Sequence, residues 1–250
     1  NRRCEIFRKM KKVHFIDCGA NIGNAIDWAI EKYKERLIKI DAFEPEYFNC
    51  LHMLNKFSKH SSLDLTINSQ AAWVENKIKK FFIQSWGTRT GSSLMQDKEH
   101  IIKEGQWIPD AYKGQKLGLY FGEETITREN YGSYALEDLK VFFNEKTGFE
   151  YVQCIDLSEW VFKNLNKENY NVLKIDIEGA EYKVIDHLLK TGAHEYIDEW
   201  LVEFTHKSRA PESFSQETVD RFKSVVSNYT DWGPMGDIIM EGDRVKEIIR

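Results

Sequence analysis

Hydrophobic positions fall into short runs that alternate with helical repeats along most of the chain. "VHFID" at residues 13–17 is an apolar run closed by an acid, and the glycine-bearing "CGANIG" follows it. Ile22, Ala25, Ile26, Ala29, Ile30 and Tyr33 then recur at helical spacing. "IKIDAFEP" at 38–45 reads as a second strand that Pro45 stops, residues 46–58 as a helix, and "LDLTI" at 63–67 as a third strand. "KKFFIQ" at 79–84 is expected as a fourth. Further on, "YVQCIDL" at 151–157 reads as a strand, "SEWVFKNL" as a helix and "NVLKID" as a strand. Residues 178–190 then read as a helix and "IDEWLVEFTH" at 197–206 as a buried strand. The pattern in "SVVSNYTDWGPMGDIIM" predicts two strands around a turn, an antiparallel C-terminal edge. This alternation, with short loops, predicts an α/β fold: a mostly parallel sheet with helices on both faces. Ligands bind such sheets at the carboxyl ends of the strands. Asp17, Glu44, Asp176 and Glu203 lie at or near such ends and should converge on one rim.

The stretch 86–150 breaks the rhythm. It holds eight of the fifteen glycines beside Trp86, Trp107, Tyr112, Tyr120, Phe121, Tyr131 and Tyr134. Glycines puncture a long helix, and so many aromatics are not left in solvent. Two readings stand: an irregular excursion packed on the core, or a cap over the rim.

Bulk properties narrow the classes. With 250 residues and 42% hydrophobic content the chain supports a sizeable core, here read as a single domain over 1–250. No apolar run reaches the length of a membrane span. The first residue is Asn1, so a piece of a longer chain, or a processed one, is expected. Residues 1–12 form a basic arm, read as a solvated linker or first helix. A net charge of −5 and a pI near 5.9 oppose a general nucleic-acid binder, which needs a broad basic footprint. Cys4, Cys18, Cys50 and Cys154 are too scattered for a disulfide framework or a zinc site. Free thiols in a reducing, cytoplasmic compartment are expected.

The glycine loop Asp17-Cys18-Gly19-Ala20-Asn21-Ile22-Gly23 carries Asn21 where the dinucleotide fingerprint has its second glycine. A pyrophosphate there would meet Asp17 and Asp176 in a partly dehydrated site. A ligand with a sulfonium and an ammonium group would be attracted by the same acids, and S-adenosylmethionine is such a ligand. Glu44, at the end of the second strand, suits its ribose.

"FIDCGANIGNAIDWAI", "IDAFEPEYFNCLHMLN", "AAWV", "TGSSL", "CIDLSEWV" and "LKIDIEGAEYKVI" resemble, in order, the motifs of FkbM-type methyltransferases over about residues 13–206. The resemblance implies a Rossmann-like class I S-adenosylmethionine fold and methyl transfer to a hydroxyl oxygen, commonly of sugars or natural products. It implies that Asp17, Gly19, Ala20, Asn21 and Gly23 cradle the methionine part of the cofactor. Glu44, followed by Pro45, would hold the ribose, and Gln70 and Ala71 would border the adenine. Ser92 and Ser93 are expected near the cofactor carboxylate or the acceptor. Asp176 would face cofactor and acceptor, with Glu178 beside the substrate. Glu178 and Glu181 serve equally as caps in the first turn of a helix, where the dipole welcomes acids. The long aromatic stretch departs from the family pattern. As a lid it would line the acceptor cleft with Trp107, Tyr112, Tyr120 and Tyr131.

A hydroxyl becomes a good nucleophile as its proton leaves, so a base or a metal should assist. Asp176, Glu203 and His206 are the candidates for the base, and Asp176 with Glu203 for a divalent cation bound to a sugar diol. The acceptor expected is a carbohydrate or glycoside. A non-carbohydrate natural product, a nucleic acid, a nicotinamide-dependent oxidation and a non-catalytic module are the rival readings. The oligomeric state is not encoded in any of these motifs.

Overall fold

The structure, a computed structural model, describes residues 11–60, 63–82, 92–95, 149–204 and 211–233. In chain order the strands are β1 (Val13–Cys18), β2 (Leu37–Phe43), β3 (Leu65–Asn68), β4 (Ala71–Trp73) and β5 (Lys77–Phe82). They continue with β6 (Phe149–Asp156), β7 (Tyr170–Ile175), β8 (Glu199–Val202) and β9 (Tyr229–Asp231). The α-helices are α1 (Asn24–Tyr33), α2 (Tyr47–Lys56), α3 (Leu157–Asn164), α4 (Glu181–Thr191) and α5 (Gln216–Val225).

Among the described residues, six strands form a sheet in the order β3-β2-β1-β7-β8-β9, and each pairing is parallel. The order reverses between β1 and β7, which makes the crevice above these two strands the place where loops diverge and a ligand can enter. All six residues of β1 and of β7 are buried, as expected of central parallel strands covered on both faces. Their side chains alternate between two cores. Val13 and Phe15 of β1, with Ile40, Ala42, Val172 and Leu201, pack against Ala25, Ile26 and Ala29 of α1 and Met53 of α2. Ile16 and Cys18, with Phe43, Leu173, Ile175, Trp200 and Val202, pack against Val161 of α3, Val184, Ile185 and Leu188 of α4 and Phe222 of α5.

Three strands lie outside this sheet. β4, β6 and β5 form a second one, with β4 parallel and β5 antiparallel to β6. Sequence periodicity identifies β5 and β6 as strands but carries no information about which sheet they join. The three-residue β4 is too short to show a period. At the C-terminal edge the start of the first expected strand is helical. Ser224 and Val225 end helix α5, which starts after Ser215, whose side chain accepts a hydrogen bond from the Thr218 N–H. β9 then pairs in parallel with β8, and among the described strands β5 and β6 pair antiparallel. The expected second strand of a C-terminal hairpin, from residue 234 on, lies outside the described residues, as does the basic arm 1–10. No described helix is long and apolar enough to cross a membrane.

Candidate active site

The rim forms as the strand pattern requires. Cys18 is in register with Phe43 and Ile175, and Ile175 with Val202, so the residues following β1, β2, β7 and β8 emerge at one level. The loop after β1 is tied to β2: the Gly19 and Ala20 N–H groups donate to the Phe43 carbonyl at 3.0 and 3.2 Å. It is also tied to β7. The Asp176 N–H donates to the Cys18 carbonyl, and a Cβ on Gly19 would stand 1.8 Å from the Asp176 carbonyl oxygen. With φ +81° as well, this position admits glycine alone. Asn21, at φ 48°, turns its N–H onto Glu44 Oε2 at 2.7 Å. Gly23, at φ 84°, precedes α1 and, having no side chain, gives that helix no side-chain cap.

Glu44 is 5% exposed, and the Glu46 N–H donates to its Oε1 at 2.8 Å. Burial pushes its carboxyl up to about 7, against the opposing effect of the backbone N–H donors. The Glu44 and Gln70 N–H groups both donate to the Asn68 carbonyl, which sets Gln70, with the buried Ala71 beyond it, next to the ribose candidate. Pro45 follows Glu44, and Glu46 caps α2 by accepting from the Asn49 N–H.

Asp17 is fully buried. Its Oδ1 takes a hydrogen bond from Lys174 Nζ at 3.0 Å, while Oδ2 is enclosed with no hydrogen-bond partner. Lys174 also donates to the Gly19 carbonyl at 2.9 Å and lies 3.6 Å from Asp176 Oδ2. Burial opposes its charge, but Asp17 and then Asp176 outweigh that, and its pKa is raised. This ammonium changes the electrostatics inferred from the acids alone: one buried cation is shared by the two carboxylates nearest the loop. A lysine inside the apolar run "NVLKI" was the available signal, because lysine is almost never fully buried unless paired.

Asp176 and Glu203 follow adjacent strands, and their carboxyl groups lie within 4.8 Å of each other, close enough for each to disfavour charge on the other. Asp176 is held well above the usual carboxylate range, first by burial and then by Glu203 and Glu178, with Lys174 opposing. Its side chain retains 27% exposure. Asp176, Glu178 and Glu203 each bring a carboxylate oxygen within 4.8 Å of the others, close enough to hold a cation.

The two glutamates expected as caps part company. Glu181 opens α4 and is fully buried, and its carboxylate turns back to accept from the Ile177 and Gly179 N–H groups at 2.7 and 2.8 Å. Glu178 precedes the helix at φ 59°, so it is not in the first turn. Its carbonyl accepts the Ser93 hydroxyl at 2.6 Å. Ser93 also accepts from the Met95 N–H, so its hydroxyl holds the Glu178 turn in place. Ser92 is buried beside it. His206, Trp107, Tyr112, Tyr120 and Tyr131 lie outside the described residues.

A family model for the methyltransferase FkbM domain matches residues 17–230. Among solved structures, one of a methyltransferase FkbM from Methylobacillus flagellatus KT is similar at 12% identity and a TM-score of 0.44. The match covers 85% of this chain and 37% of that one, so this chain spans well under half of that protein's length. No curated protein matches the chain.

Proposed function

The chain belongs to the FkbM methyltransferase family, and we propose that it moves a methyl group from S-adenosylmethionine to a hydroxyl oxygen of a sugar or glycan. The family implies that donor, and the residues present fit it. The orphaned Asp17 Oδ2 is a buried acceptor in need of a donor, which an ammonium supplies. Gly19, Ala20, Asn21 and Gly23 bring backbone to the uncapped start of α1, suited to a carboxylate. Glu44 already accepts from the Asn21 and Glu46 N–H groups and the Asn49 side chain, which leaves it acceptor capacity for a ribose hydroxyl. The cofactor supplies an electrophilic methyl group on a sulfonium.

The observation that carries the reading is the close pair of carboxyls, Asp176 and Glu203, at the strand ends beside the cofactor loop. A carboxyl with raised pKa is matched to taking a proton from a hydroxyl near neutral pH, and carboxylate oxygens orient a sugar diol through its O–H groups. Alignment of the acceptor oxygen with the methyl group supplies much of the rate, so residues that fix the acceptor matter as much as the base. The three-carboxylate cluster supports a second role for the same residues, holding a divalent cation that binds the diol. The buried free thiols Cys18, Cys50 and Cys154 favour a reducing, cytoplasmic setting. On this reading residues 1–250 make up one methyltransferase domain.

The test is methylation of a panel of glycosides and of non-carbohydrate polyols, read as a gain of one methyl by mass. Asp176→Asn and Glu203→Gln should each reduce kcat by about 10²–10⁴-fold, with cofactor Kd within tenfold. Methyl transfer confined to non-carbohydrate acceptors would refute the sugar assignment. Loss of activity on chelation, restored by magnesium, would select the cation-holding role.

A further inference from the structure

Glu44 stands among donors that use up most of its acceptor capacity. The Asn21 N–H reaches its Oε2 at 2.7 Å and the Glu46 N–H its Oε1 at 2.8 Å, and the Asn49 side chain donates to the same carboxyl. A carboxylate offers about four lone-pair sites, so about one remains for a ligand. A ribose brings two neighbouring hydroxyls, and each gives up a hydrogen bond to water on entering a closed site. One acceptor does not serve both.

A second acceptor is in place beside it. Asn49 is 2% exposed, and its Oδ1 is enclosed with no hydrogen-bond partner among the described residues. Only Nδ2 of an asparagine side chain can donate, so it is the nitrogen that faces Glu44, and the orphaned oxygen belongs to the same small amide. An enclosed acceptor without a partner is a net cost in the empty protein, and a donor carried by a ligand removes that cost.

Local structure holds the pair together. Asn49 lies in the first turn of α2, where Glu46 accepts its N–H at 3.0 Å, and the next residue, Cys50, donates its thiol to the Glu44 carbonyl at 3.1 Å. The Glu44 N–H is in turn bonded to the Asn68 carbonyl at 3.0 Å. The end of β2 and the first turn of α2 are therefore one tied unit, in which the two side chains cannot separate without breaking these bonds. The terminal torsion of an asparagine is broad, so the amide oxygen can turn toward an arriving hydroxyl with the backbone in place.

We propose that Asn49 is a second ribose-binding residue, whose Oδ1 accepts from one hydroxyl of the cofactor diol while Glu44 accepts from the other. The proposal rests on the S-adenosylmethionine reading and adds to it a residue and a division of roles between two acceptors. It makes the site selective for an intact diol, because a site built to bond a hydroxyl is left with an unpaired buried group when that hydroxyl is missing.

Calorimetry on the full chain tests it, with S-adenosylhomocysteine, its 2′-deoxy and 3′-deoxy analogues, and the variants Asn49→Leu and Glu44→Gln, each checked for folding by its melting transition. Wild type should bind the parent compound about tenfold or more tightly than either deoxy analogue. In Asn49→Leu the penalty for one missing hydroxyl should fall below about twofold while the other persists, and Glu44→Gln should shrink the other one. Asn49→Ala carries the same expectation should the leucine variant fail to fold. If both variants silence the same hydroxyl, Asn49 acts only through Glu44 and the proposal falls. It falls equally if both penalties survive in Asn49→Leu, and a raised melting temperature would then mark the orphaned oxygen as a packing defect. Wild type that binds the parent but discriminates against neither analogue overturns the assigned ribose site and leaves the cofactor standing. No binding of the parent compound overturns the cofactor reading itself, and the proposal with it.

Discussion

Glu44 gives the sharpest test of the cofactor site, because burial and ligand act on its carboxyl in opposite directions. Without ligand, burial raises its pKa from 4.5 to about 7. A folded-state pKa above the unfolded value means that the stability contributed by the neutral form is complete below pH 4.5. It is lost as pH rises through 7, a difference of about 3 kcal/mol. Ribose hydroxyls donate to the ionised form and reverse part of that. Cofactor binding near pH 6 should therefore release a proton, since about nine-tenths of the carboxyl is neutral one unit below its pKa. Affinity should rise by up to about tenfold between pH 6 and 8. Glu44→Gln keeps the shape but loses the charge. Hydrogen bonds to a charged group contribute about 1.5–3 kcal/mol, so Kd should weaken by about 10- to 150-fold at pH 8 and lose its dependence on Glu44 ionisation. Calorimetry in two buffers of different ionisation enthalpy counts the protons released. The Asp176→Asn background removes the other raised carboxyl on the rim. Flat affinity from pH 6 to 8, equal in wild type and Glu44→Gln, would refute Glu44 as the ribose ligand.

Gly19→Ala drives a Cβ into the Asp176 carbonyl at φ +81° and should cost about 3 kcal/mol or more, seen as a lowered Tm with loss of cofactor binding; a wild-type Tm would show that the loop relaxes freely. Lys174→Met leaves the buried Asp17 without its cation and should destabilise by about 3–5 kcal/mol in denaturant titration. Combining it with Asp17→Asn should recover much of that loss, and additive losses would mean that the lysine acts elsewhere. Glu181→Ala strips the acceptor from the buried Gly179 N–H and the partly buried Ile177 N–H, at about 1–3 kcal/mol in all, and unchanged stability would mean that water replaces it.

The order of apolar runs and helical repeats determined the parallel sheet and the level at which its acids emerge. Both follow from local spacing, since each strand ends where its run ends and parallel strands in register end together. The motifs likewise marked the loop at 17–23, Glu44 and Asp176, because chemistry-bearing residues at strand ends are fixed by position in the chain. Tertiary structure alone decided what these groups are bonded to. Sequence order cannot show that Lys174 sits between Asp17 and Asp176, as the lysine and Asp17 are 157 residues apart. It cannot show that Glu181 turns back onto the loop while Glu178 takes a positive φ, because both acids suit a first helical turn and only the closed backbone separates them. The second sheet belongs to the same class. β5 and β6 read as strands from their pattern, but their antiparallel pairing joins residues more than sixty positions apart, a distance over which side-chain periodicity specifies which faces are buried and not which edges meet.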